Sequence, residues 1–96
     1  MDFSNNSSNP YSEVAILRDP DGIVCSITMR MGDTGPLFSV AFFREYEKAG
    51  ETRRTHWLQK RHVAAVRRLC ALAEEQIQVE EDRARAKLRM SKAGSA

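Results

Sequence analysis

The sequence predicts an α+β domain, a four-stranded antiparallel sheet followed by one long C-terminal helix. Apolar residues alternate with a period of two across much of residues 13–58, and clusters of turn-forming residues interrupt the alternation. From Lys60 onward the apolar period changes to that of a helix. All strand signals precede the helix signal, an order that suits segregated strands and helix better than strand–helix–strand units.

Residues 1–10 are polar, with the run Ser4-Asn5-Asn6-Ser7-Ser8-Asn9, and are expected to form a disordered leader. Order is expected from Tyr11. Glu13 to Arg18 is rich in β-formers, and Asp19-Pro20-Asp21-Gly22 supplies turn chemistry: proline presets φ, aspartates bond the local backbone, and glycine accepts positive φ. Ile23 to Met31 alternates, with Ile23, Cys25, Ile27, Met29 and Met31 on one face, and should pair with the preceding strand as a hairpin. Gly32-Asp33-Thr34-Gly35-Pro36 forms the next turn. A third strand runs from Leu37 to about Lys48, where Phe42-Phe43 breaks the alternation and requires either two buried faces or a bulge. Ala49-Gly50 turns the chain into a fourth strand, Glu51 to Leu58.

In the helix, Val63, Val66, Leu69, Cys70, Ala73 and Ile77 form an apolar stripe, with Arg67, Arg68, Glu74 and Glu75 off it. The stripe weakens after Val79. Residues 11–79 are therefore the expected domain, and 80–96 a charged helical extension with a frayed tail, helped by the Glu81–Arg85 pair at i,i+4. That stripe is long for a helix covering one small sheet. Val66, Leu69, Cys70, Ala73 and Ile77 are accordingly expected to meet a second copy in a homodimer, which would enlarge the modest core of a 96-residue chain.

Composition is that of an ordinary globular protein, 42% hydrophobic and 29% charged. The net charge of +2 is unevenly spread: residues 1–43 carry −3 and residues 44–68 carry +5, as expected of a surface for a polyanion. Cys25 and Cys70 lie in apolar patterns without a paired-cysteine motif and read as reduced structural thiols. There is no apolar run of membrane-spanning length and no signal-peptide pattern, so the expected setting is intracellular, cytoplasm or nucleoid, away from membranes.

The pattern argues against an enzyme. His56 and His62 lack acidic or cysteine partners at metal-ligand spacing. Gly32-Asp33-Thr34-Gly35 lacks the lysine of a phosphate-binding loop, and no nucleophile elbow is present. Neither cofactor nor metal is expected. The informative segment is residues 44–60. Arg44, Lys48, Arg53, Arg54 and Lys60 supply cations that could follow a phosphate backbone, and Tyr46 and Trp57 supply flat surfaces on which bases stack. The competing reading is a solvated hairpin edge whose charges oppose aggregation, with Trp57 in the core. Lys60-Arg61 and Arg67-Arg68 oppose the dipole at the helix start, a conflict that an external anion, or Glu74 and Glu75, would relieve.

Arg44-Glu45-Tyr46 closing the third strand, Gly50-Glu51, and the basic fourth strand before a helix resemble the transcriptional coactivator positive cofactor four family, which shares the Whirly fold. The resemblance covers roughly residues 22–79. It implies a dimer joined through the helices, with the sheets of both subunits forming a channel for single-stranded or melted DNA. By position, Arg44 matches the arginine of the family's Arg-Glu-Tyr run, Arg53 and Arg54 match basic residues of its next strand, and Leu58 the leucine before its helix. Glu47 stands where the family usually has an aromatic residue, and Lys60-Arg61 replaces its Pro-Glu helix start. The fourth strand is shorter and the helix longer. Together these readings predict non-enzymatic binding of single-stranded nucleic acid, DNA rather than RNA. The alternative is a protein-interaction or duplex-DNA regulatory module on the same dimeric scaffold.

Overall fold

The computed structural model describes residues 11–95, with side chains through residue 90. Its strands are β1 (Ser12–Arg18), β2 (Ile23–Gly32), β3 (Gly35–Lys48) and β4 (Glu51–Thr55), paired antiparallel in chain order. A single 3₁₀ turn, Lys60–His62, leads into helix α1, Val63–Ser95. The α+β layout is the one the sequence predicts. The proposed leader, residues 1–10, lies outside the described residues.

Each hairpin follows from its turn residues. Asp19 N–H donates to the Ile23 carbonyl, Gly22 N–H to the Asp19 carbonyl, and Asp21 N–H to Asp19 Oδ1, at 2.9, 2.9 and 3.1 Å. Gly22 holds φ +88°, and a side chain there would press within 3.3 Å of the Glu45 carbonyl. At the β3–β4 turn both central residues, Ala49 (φ 55°) and Gly50 (φ 79°), take positive φ, the requirement of a type I′ hairpin.

Register sorts the side chains. Cys25, Ile27 and Met29 of β2 pair with Phe42, Val40 and Phe38 of β3, and directly opposed residues share a face. On that face Ile23, Cys25 and Ile27 form one buried cluster with Ala65, Leu69 and Ala73 of α1. Phe42 packs against this cluster, while Phe43 is buried on the other face beneath Arg54 and His56. The two-buried-faces alternative for Phe42-Phe43 therefore holds, and the β2–β3 register is continuous. The irregularity falls in β1 instead, between Glu13 and Ala15, so that both Val14 and Ala15 pack toward the core while Ile16 faces outward.

Expected boundaries move: β2 runs through Gly32 and β3 begins at Gly35 rather than Leu37, because Gly32 and Gly35 and then Met31 and Pro36 still pair, which narrows the second turn to Asp33-Thr34. The fourth strand stops at Thr55 rather than Leu58 because the following polar groups find other partners. His56 Nδ1 donates to the Phe42 carbonyl at 3.1 Å, and Trp57 N–H donates to Thr55 Oγ1 at 3.1 Å. The helix extends past residue 91, to Ser95. Its charged extension is not fully solvated, since Glu80 and Ala84 are buried. Gln76 Nε2 donates to the Glu80 carboxylate at 3.0 Å, as does Arg83 Nη1. A cavity of about 330 Å³ remains beside these residues, between Val14, Met29, Met31 and Leu88.

Of the residues expected at a dimer contact, Leu69 and Ala73 lie in the chain's own core, and Val66 and Ile77 pack against it. They cover the sheet rather than present a surface to a partner. Cys70 is exposed, unlike Cys25, whose thiol is pushed up by burial and, to a lesser degree, by Cys70 nearby.

Arg68 fastens the start of α1 to the β1–β2 turn. Its Nε and Nη2 donate to the two carboxylate oxygens of Asp19 at 3.0 and 3.1 Å. The guanidinium, then the Asp21 N–H, hold the Asp19 carboxyl below its ordinary range.

Two outcomes are expected from these interactions. Ala49→Asn should raise stability by about 1 kcal/mol in urea denaturation, because asparagine tolerates left-handed backbone that strains alanine. The Asp19 carboxyl has a depressed folded pKa, so its stabilisation is present above the unfolded value of about 3.9 and is lost as pH falls through the folded value. Denaturation at pH 7 and pH 3 should therefore show a smaller acid loss in Arg68→Ala than in the parent, at a lower starting stability.

Candidate nucleic-acid interface

Seating α1 on β1 and β2 leaves the distal ends of β3 and β4 as a projecting two-stranded wing. Arg44 pairs across from Thr55, Tyr46 from Arg53, and Lys48 from Glu51. By alternation from Phe42, these residues occupy the helix-side face, whereas the Glu45–Arg54 and Glu47–Thr52 pairs face the other way. The structure thus brings Arg44, Tyr46, Lys48 and Arg53 together on one face. It places Arg54 on the other.

Acidic neighbours divide the cations further. On the far face Glu45 takes both Arg18 and Arg54, the latter at 3.4 Å, and the Arg54 guanidinium lies 4.4 Å from the centre of the Phe43 ring. Arg54 is thereby engaged in covering Phe43. Arg53 pairs with Glu51 at 3.1 Å, an exposed contact that exchanges at little cost. Among the described residues Arg44, Lys48, Lys60 and Arg61 form no ion pair. Arg44 lies 5.0 Å from the centre of the Tyr46 ring, so one face of that ring is already occupied.

Trp57 is 87% exposed in the segment between β4 and the 3₁₀ turn. It is not a core residue. Lys60 opens that turn three residues later and is exposed as well. His62 behaves differently. It is buried, its Nδ1 accepts the Gln59 N–H at 3.0 Å, and its own N–H donates to the Gln59 carbonyl at 2.8 Å, a reciprocal cap. Arg61 and His62 border a cleft with Arg44 and Asp21, a grouping that sequence reasoning missed. The signal available was the Lys60-Arg61 pair at the helix start, but the cap that fixes His62 depends on the tertiary path.

Among the described residues no three His, Cys, Asp or Glu side chains gather as a metal-binding group, and no helix is long and apolar enough to cross a membrane. Compared with family models, curated proteins and solved structures, the chain matches none.

Because the indole makes little contact with the fold, Trp57→Ala should leave stability within about 0.5 kcal/mol of the parent in urea denaturation.

Proposed function

We propose that the chain is a non-enzymatic binder of single-stranded nucleic acid, DNA in preference to RNA, acting as an intracellular homodimer. The observation that carries this reading is the exposed Trp57 between cations that form no ion pair among the described residues, Arg44 and Lys48 on the wing and Lys60 and Arg61 at the helix start. A single strand offers phosphates to the cations and unstacked bases to the indole. A duplex hides those base faces, and the wing has no helix to insert in a major groove. The likeness of Arg44-Glu45-Tyr46 to the positive cofactor four family supports the same reading.

The dimer is proposed from surface that one chain leaves uncovered. Leu72 and Val79 of α1 are 49% and 47% exposed, a heptad apart, and Val40 on the helix side of β3 is 40% exposed. Leu72, Val79 and Val40 replace the buried Leu69 and Ala73 as the proposed partner-facing set. Leu72→Glu should shift the native mass of the protein from two chains to one with the fold intact. A parent protein of one-chain mass at micromolar concentration would rule the dimer out.

Fluorescence polarization with labelled single strands and duplex of the same sequence tests the main reading. Single strands should bind more tightly and with little sequence preference. Trp57→Ala should cost about 1–3 kcal/mol with the salt slope unchanged. Arg44→Ala with Lys48→Ala should flatten the slope of log K against log salt by about 0.7 for each phosphate that is no longer neutralised. Tighter binding to duplex would favour the duplex-regulatory alternative.

A further inference from the structure

We infer that the cleft between Asp21, Arg44, Arg61 and His62 is a binding site for a phosphoryl group. Three parts of the chain converge there: the turn after β1 brings Asp21, β3 brings Arg44, and the 3₁₀ turn brings Arg61 and His62. The cleft has a volume of about 160 Å³. That is below the range of about 300–1,000 Å³ usual for small-molecule pockets, and suits a compact ion better than a whole nucleotide.

Its donors lack acceptors. Arg44 Nε is buried and has no hydrogen-bond partner. Buried donors are nearly always satisfied, and leaving one on a charged group unpaired is costly, so a small turn of the Arg44 side chain that brings this N–H to an acceptor in the cleft removes a standing penalty. Neither Arg44 nor Arg61 forms an ion pair among the described residues. His62 adds a third donor. The Gln59 N–H occupies its Nδ1, so the proton of the neutral ring sits on Nε2. Burial to 3% exposure and the reciprocal cap fix the orientation of that ring.

Two guanidinium groups and one imidazole N–H call for an anion with several oxygens in different directions. A phosphoryl group meets that requirement better than a planar carboxylate, because arginine forks bind its oxygens in pairs. The opposing charge is Asp21. Its carboxylate lies 3.7 Å from Arg68, which is already bound by Asp19, so Asp21 is only weakly neutralised and faces any anion in the cleft. It sets the affinity from the rim.

The source of the phosphoryl group rests on the single-strand reading: a phosphate of the bound strand would enter here after passing Trp57 and Lys60. Free phosphate shares the chemistry, and the experiment separates the two. Inorganic phosphate is titrated into the full ¹⁵N-labelled chain at constant ionic strength, following the Arg44 Nε–H and His62 ring resonances. Both should shift saturably with phosphate and not with chloride. Arg61→Gln should weaken phosphate about tenfold to a hundredfold, the loss of a charge-assisted hydrogen bond. Asp21→Asn should tighten it. Both side chains are exposed, so neither substitution disturbs the core. Equal shifts with chloride and phosphate, or unchanged phosphate affinity in both variants, would overturn the site. The same variants are then titrated with an unlabelled single strand. Parallel changes in strand affinity assign the site to a strand phosphate. Phosphate binding that follows the variants without any strand binding keeps the site, assigns it to free phosphate, and refutes the single-strand reading alone.

Discussion

The fold depends on how one helix sits on β2. Small residues, Ala65 and Ala73, flank Leu69 on the inward row of α1, so the helix approaches closely and Leu69 fills the space among Ile23, Cys25 and Ile27. Further along, Ala84 borders the cavity that Met29 and Met31 also line, so the helix follows β2 toward its far end. A single helix covers the strands beneath it and no more. The bare wing of β3 and β4, the uncovered Val40, and the outward Leu72 and Val79 all result from this seating. The Asp19–Arg68 contact fixes where the helix begins, and with it the position of Arg61 and His62 beside Arg44.

Charge is organised by register as much as by composition. The basic stretch carries eight cations, but the sheet assigns them different work. Glu45 stands opposite Arg54 and also reaches Arg18, so that face is an intramolecular network over Phe43. One residue away in each strand, Tyr46 stands opposite Arg53, with Arg44 and Lys48 beside them on the same face; Glu51 stands opposite Lys48 but takes Arg53, and neither Arg44 nor Lys48 forms an ion pair among the described residues. Adjacent residues of one basic run thus differ in role because the strand period is two. This division concentrates available positive charge on the side that also carries the 3₁₀ turn.

Strands and turns were legible in the sequence because their signals are local. Asp19-Pro20-Asp21-Gly22 and Ala49-Gly50 state their backbone requirements directly, and Ile23 to Met31 alternates without interruption. The β1 irregularity was not legible, since Glu13-Val14-Ala15-Ile16-Leu17 admits either face inward until the pairing with β2 is fixed. Nor was the burial of Glu80, whose charge reads as solvated until Gln76 and Arg83 are seen to satisfy it one turn to either side. For the candidate site, the cations and aromatics were visible as a cluster. Their division into engaged and available groups was not, because Glu45 meets Arg54 only across strands. The exposure of Trp57 likewise depends on where β4 ends, which the hydrogen bonds of His56 and Trp57 determine.

Trp57 is the only tryptophan in the chain, so its emission reports on the interface without a label. Titrating the parent protein with unrelated single-stranded sequences at fixed salt, while following indole fluorescence and strand anisotropy together, tests the central claim directly. If bases stack on the exposed indole, quenching should saturate in step with the anisotropy for every sequence, and duplex should quench less. Strand binding that leaves the indole emission unchanged would contradict the placement of the interface. Absence of binding in both signals would contradict the function itself.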